Sequence, residues 1–170
     1  LDNAEGTIYN LVGFQTQLKW REQERVFRLI PGLERAEFVR YGVMHRNTYI
    51  NSPRCLNADM QFKSCPGLFL AGQLTGVEGY MESAATGILA GINAVRLLAG
   101  KEAVAPSPHS MLGALLHFIA TCPDRNFQPI NANFGVLPSA PTEIKNKQER
   151  NEFLVKRAMD EMTNFSELYL

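Results

Sequence analysis

Residues 67–94 read GLFLAGQLTGVEGYMESAATGILAGINA, and this stretch decides the fold. The apolar run 67–71 is bounded by Pro66-Gly67 and Gly72, the pattern of a buried strand. It passes through Ala71-Gly72-Gln73 into a loop spaced by Gly76 and Gly79. A helix over 80–99 follows, rich in small residues (Ala84, Ala85, Gly87, Ala90, Gly91) and stopped by Gly100. Glycines after a strand let the backbone approach a ligand closely. The free amides and positive end of the following helix face whatever sits at the strand's carboxyl end. Such a corner suits an electron-rich ring or a phosphate. A glycine-rich strand–helix corner without a ligand fits the same pattern.

Charge surrounds this stretch rather than entering it. Between Leu68 and Leu98 the only charged residues are Glu78, Glu82 and Arg96. Residues 1–50 carry seven basic and six acidic side chains, residues 101–170 seven and eight, and residues 51–100 only three of each. A centre so poor in charge predicts a buried element between two solvated layers.

Working outward, 15–30 has helical composition and stops at Pro31-Gly32. Residues 37–44, rich in Phe, Val and Tyr, predict a strand. Residues 46–64 are polar, broken by Ser52-Pro53, and predict loop with a short strand. Pro106 to Pro108 marks a linker before a short apolar helix over 110–120, and 122–141 reads as loop. Asn146-Lys147-Gln148-Glu149 is a capping box opening a last helix in which Leu154, Ala158 and Met162 share a face. No internal repeat emerges.

The bulk properties set outer bounds. At 170 residues the length predicts about one domain. Seventeen Lys and Arg balance seventeen Asp and Glu, which gives no basic excess for nucleic acid, although a local basic face is compatible with it. No apolar run reaches the roughly 18 residues of a membrane span, and residues 1–10 lack signal-peptide character. Three cysteines, Cys55, Cys65 and Cys122, argue against a disulfide framework and for a reducing, cytoplasmic setting. The absence of an initiator Met and the polar opening LDNAEG predict a piece of a longer polypeptide.

The strand–AGQ–loop–helix unit resembles the flavin-closing motif of two related FAD families that modify uridines in tRNA. One is the MnmG/GidA family, which acts on the wobble uridine. The other is the folate- and FAD-dependent tRNA (uracil-5-)-methyltransferase family, TrmFO. Further strings favour the second: YNLVGFQT at 9–16, RVFR at 25–28, IPGLE at 30–34, MHRNTY at 44–49 and NFQPINANFG at 126–135. The resemblance spans nearly the whole chain and matches the family's C-terminal portion. It implies an α/β fold class, here a fragment of a Rossmann-like FAD-binding domain of the glutathione-reductase type with C-terminal helices. It also implies methylation of C5 of the T-loop uridine of tRNA. Methylenetetrahydrofolate would supply the carbon and FAD, recharged by NAD(P)H, the reducing equivalents.

By the same resemblance Gly72 and Gln73 would lie against the flavin's ribityl and ring region. Gly79, Tyr80, Glu82 and Ser83 would line the helix start. His45, Arg46, Asn47 and Tyr49 would enter the substrate cleft, with His45 either stacking on flavin or folate or serving as a structural histidine. His45 is the one catalytic candidate. The family's catalytic cysteines lie upstream, and its Gly-x-Gly-x-x-Gly fingerprint is missing here. No metal site is expected, since no His or Cys stands at ligand spacing. The chain by itself is therefore expected to be inactive, with the missing N-terminal portion of the polypeptide as its partner. The implied organisation is 1–44 in a substrate-side insertion, 45–105 in the FAD-binding domain and 106–170 in a helical extension.

One element gives a handle on tRNA. Arg21, Arg25 and Arg28 fall at i, i+4 and i+7, a basic stripe beside Trp20 if the segment is helical. The same residues equally suit a solvated face paired with Glu22 and Glu24. The mixed charges of 143–157 read as an exposed helix. Two other readings stay open, the wobble-uridine carboxymethylaminomethyl flavoprotein and a non-catalytic tRNA-docking or subunit-packing module.

Overall fold

The computed structural model describes residues 3–11, 16–42, 47–123, 125, 127–141 and 143–169. The chain divides into two compact units, Leu1–Arg46 and Asn47–Leu170. Each is described by itself.

In the first unit the helix expected over 15–30 is shorter, α1 at Trp20–Phe27. The Thr16 hydroxyl accepts the Leu18 amide at 3.0 Å, a local bond that competes with helix, and Lys19 is extended. At the far end Leu29 and Ile30 donate to the carbonyls of Val26 and Phe27, which tightens the last turn before Pro31-Gly32. The strand expected over 37–44 does not form at 37–42, and 43–44 lie outside the described residues. The reason is visible at Gly42. Buried Gln23 accepts its amide at 2.9 Å and donates to its carbonyl at 2.9 Å. A carboxamide thus makes the pair of bonds that a neighbouring strand would make. A ring ladder completes the unit: Trp20 on Tyr41, Tyr41 on Phe38, Phe38 against Phe27, with centroids 6.1, 5.8 and 6.3 Å apart.

The second unit is helical. Short α2 (Ser52–Cys55), a 3-10 turn (Gly72–Thr75), α3 (Tyr80–Leu98), α4 (Met111–Thr121) and α5 (Lys147–Tyr169) follow in order. The buried strand expected over 67–71 is reduced to one bridge, Gln61↔Phe69, beside Leu56↔Phe62, and Leu68 is exposed. An isolated extended run has no sheet to satisfy its ladder groups, so it folds back on 56–62 instead. Among the described residues there are only isolated bridges, and the Rossmann-like sheet of the expected α/β class is not built from them.

The core joins Leu56, Met60, Val77, Leu89, Leu115, Leu116, Ile119, Phe127 and Phe165, so residues on both sides of 105 share it. The expected linker at Pro106 to Pro108 is a packed turn. Its carbonyls sit against Gly113, where a Cβ would lie 2.0 Å from the Ser107 oxygen. Ser110 caps α4 by accepting the Gly113 amide at 3.0 Å. Asn146 caps α5 through the Gln148 amide at 2.8 Å, and Leu154, Ala158 and Phe165 are buried on that helix.

Helix α3 is inverted relative to an ordinary surface helix. Its buried positions are Thr86, Leu89 and Asn93. The Asn93 carboxamide donates to the carbonyls of Asp59 and Val104 and accepts the Val104 amide. Meanwhile Met81, Ala84, Ile88, Gly91, Val95 and Leu98 are all exposed, and their spacing of three and four puts them on one stripe. Gly100 ends the helix in the left-handed region (φ 71°). Its amide donates to Leu97 and that of Lys101 to Arg96, a Schellman closure.

Candidate cofactor site

The glycine loop of residues 72–79 is held on three sides. From below, the Gly72 amide donates to the Thr86 hydroxyl at 2.9 Å, and that hydroxyl donates to the Ser83 carbonyl at 2.9 Å. Thr75 closes the 3-10 turn by donating to the Gly72 carbonyl at 2.7 Å. On one flank, Ile50 donates to the Leu74 carbonyl, and the buried Ser52 hydroxyl donates to the Thr75 carbonyl at 2.7 Å. On the other flank Val77 pairs in parallel with Ile130.

Two glycines are required by geometry. Gly76 has φ 83°, and a Cβ there would lie 2.5 Å from the Phe127 ring. Tyr49 packs edge-on against that ring, centroids 6.0 Å apart. Gly79 has φ 100° and ψ 144° as the N-cap of α3, a region essentially restricted to glycine. A Cβ on it would meet Glu82 Oε2 at 2.1 Å. That carboxylate is the movable end of a side chain, so the backbone conformation is what holds this position to glycine.

No side chain caps the start of α3. With a glycine as N-cap, the partial positive charge of the first turn favours an electron-rich group. Gly72, Gly79, Glu82 and Ser83 gather here, while Gln73 is exposed and Tyr80 projects outward at 96% exposure. Of the cleft residues, Tyr49 is half-buried in the second unit and Asn47 is exposed. His45 and Arg46 lie outside the described residues. Thr86, Ser52 and the segment 127–135 were not assigned to the site from sequence. A lone Thr inside an apolar helix is the signal that points to Thr86.

Arg21, Arg25 and Arg28 stand on or at the end of α1. Arg25 pairs with Glu22 at 2.6 Å and Arg28 with Glu24 at 2.8 Å, both on the surface, where solvent screens such pairs. Arg28 also donates to the Ala36 carbonyl at 3.1 Å. This is the paired, solvated arrangement for two of the three. Trp20 is 60% exposed. The Tyr41 hydroxyl donates to Glu24 at 3.0 Å, and that bond raises its phenol above the ordinary value. All three cysteines are free thiols. Among the described residues no helix is long and apolar enough to cross a membrane.

The family model for glucose inhibited division protein A matches residues 1–102. Methylenetetrahydrofolate--tRNA-(uracil-5-)-methyltransferase TrmFO of Syntrophomonas wolfei is 59% identical over 169 residues, covering 99% of this chain and 39% of the relative. TrmFO of Moorella thermoacetica is 61% identical over 159 residues, 94% of this chain and 36% of the relative. TrmFO of Bacillus subtilis is 56% identical over 165 residues, 97% and 38%. The chain thus spans less than two fifths of the length of these relatives. The crystal structure of Aquifex aeolicus GidA in form II is similar with a TM-score of 0.50 and 34% identity, over 64% of this chain and 18% of that one.

Proposed function

The chain belongs to the glucose inhibited division protein A family, and from that premise we propose that it is the C-terminal part of a folate-dependent tRNA (uracil-5-)-methyltransferase. The observation that carries this reading is the 56–61% identity to enzymes of that name over nearly the whole chain. The wobble-uridine alternative rests on the lower, 34% identity to GidA. The full-length polypeptide would methylate C5 of the T-loop uridine with methylenetetrahydrofolate as carbon donor and NAD(P)H as reductant, in the cytoplasm.

The loop suits a flavin. Gly79 is exposed and as N-cap brings no side-chain cap to α3, and Gly87 and Gly91 have nothing within 4 Å of an added Cβ. FAD would supply the redox chemistry. Gly72, Gln73, Gly79, Tyr80 and Ser83 would bind and orient it, with Thr86 fixing the turn from beneath and Glu82 acting from the start of α3. His45, Arg46, Asn47 and Tyr49 would line the substrate side, and Arg21, Arg25 and Arg28 would meet tRNA phosphates. The exposed stripe on α3 would seat the rest of the polypeptide, completing the Rossmann-like FAD-binding domain and excluding water from the helix flank.

The test is nucleoside analysis of unmodified tRNA after incubation with the full-length flavoprotein. A 5-methyluridine in the T loop is the expected product. Modification confined to the wobble uridine transfers the chain to the alternative.

A further inference from the structure

Glu82 stands at the third helical position of α3, where a glutamate ordinarily turns back to the N-cap amide. Here its Oε1 instead accepts the amide of Ala132 at 3.2 Å, across 50 residues of sequence. Three further contacts follow the same two segments. Ile130 donates to the Gly76 carbonyl at 3.0 Å and Glu78 to the Ile130 carbonyl at 2.9 Å. The Phe127 ring fills the space that a side chain at Gly76 would need. Beyond Ala132, Asn133 makes its own turn by accepting the Gly135 amide at 2.8 Å and donating to the Asn131 carbonyl at 2.9 Å. The carboxylate lies over the N-cap, its Oε2 2.1 Å from where a Cβ on Gly79 would stand.

We propose that Glu82 is a positioning residue: its carboxylate latches the segment 127–135 beside the start of α3, making that segment a wall of the flavin site. The inference rests on the flavin reading above and assigns Glu82 a role through Ala132 rather than direct contact with the cofactor. A negative charge already stands at the positive end of α3.

The experiment compares Glu82→Gln and Glu82→Ala in the full-length flavoprotein. Glutamine keeps an acceptor for the Ala132 amide, and alanine removes it. Amide hydrogen exchange over 127–135 reads the latch, and FAD affinity reads the wall. In E82A, exchange at 132 should rise about tenfold or more and FAD affinity fall about tenfold, the scale of losing one hydrogen bond to a charged group. E82Q should stay within about threefold of the parent in both, and this second variant serves if E82A fails to fold. Unchanged exchange in E82A overturns the latch. Faster exchange with unchanged FAD affinity overturns the wall. Equal loss of flavin in both variants means that the charge acts on the ligand directly and also overturns the proposal. A parent protein that binds no flavin would refute the functional reading instead, separately from the exchange result.

Discussion

The amide of Gly72 donates to the hydroxyl of Thr86 at 2.9 Å, 14 residues away, and this bond fixes the glycine turn onto the helix that follows it. Thr86 is fully buried, and Thr86→Val leaves the Gly72 amide without an acceptor. Because that amide is only part-buried, the expected loss is about 1 kcal/mol of stability, with flavin retained more weakly. Thr86→Ser keeps the acceptor and should recover most of both. Thermal unfolding and flavin content of the two variants check this.

Ile88 lies in the middle of the exposed apolar stripe of α3. If the rest of the polypeptide covers that stripe, Ile88→Lys buries an unpaired charge in the full-length protein, and a loss of about 3 kcal/mol or more is expected. A surface position would change by no more than roughly 0.5 kcal/mol. Denaturant unfolding of the full-length variant distinguishes the two.

Much of this was legible in sequence. The stop at Gly100 and the cap at Asn146 follow from local chemistry and stand in the structure. The two strands did not follow, for a shared physical reason. Residues 37–42 and 67–71 have strand composition, but a strand is made by its neighbours, and neither run meets a full sheet among the described residues. Gln23 supplies the substitute bonds in one case and 56–62 in the other. In the site the glycines could be read because their φ values demand that residue. The Glu82–Ala132 bond could not, since nothing local links positions 50 apart.

Arg21 differs from Arg25 on α1 and from Arg28 at its C-cap, whose guanidinium groups are engaged by Glu22 and Glu24. If this face meets tRNA, Arg21→Ala should weaken binding uniformly across tRNAs and reduce the salt slope by about one. Stability should change by less than about 0.5 kcal/mol. Titrations of tRNA binding at several salt concentrations measure the slope.

Tyr41 offers a pH-dependent check of the first unit. Its hydrogen bond to Glu24 raises the phenol, so the neutral form is favoured in the folded state. That contribution is complete below the ordinary phenol value of about 10 and is lost as pH rises through the raised one. In Glu24→Gln the negative partner is gone, and the Tyr41 phenolate should form at lower pH. An alkaline titration followed by phenolate absorbance in both proteins reports the shift.

The central claim is that this chain serves a folate-dependent methylation. Its most direct measurement is the source of the transferred carbon, read with isotopically labelled methylenetetrahydrofolate, NAD(P)H, unmodified tRNA and the full-length flavoprotein. Label in the 5-methyl group of the T-loop uridine, with no requirement for S-adenosylmethionine, is the predicted result. A methyl group that carries label only from S-adenosylmethionine would contradict the account.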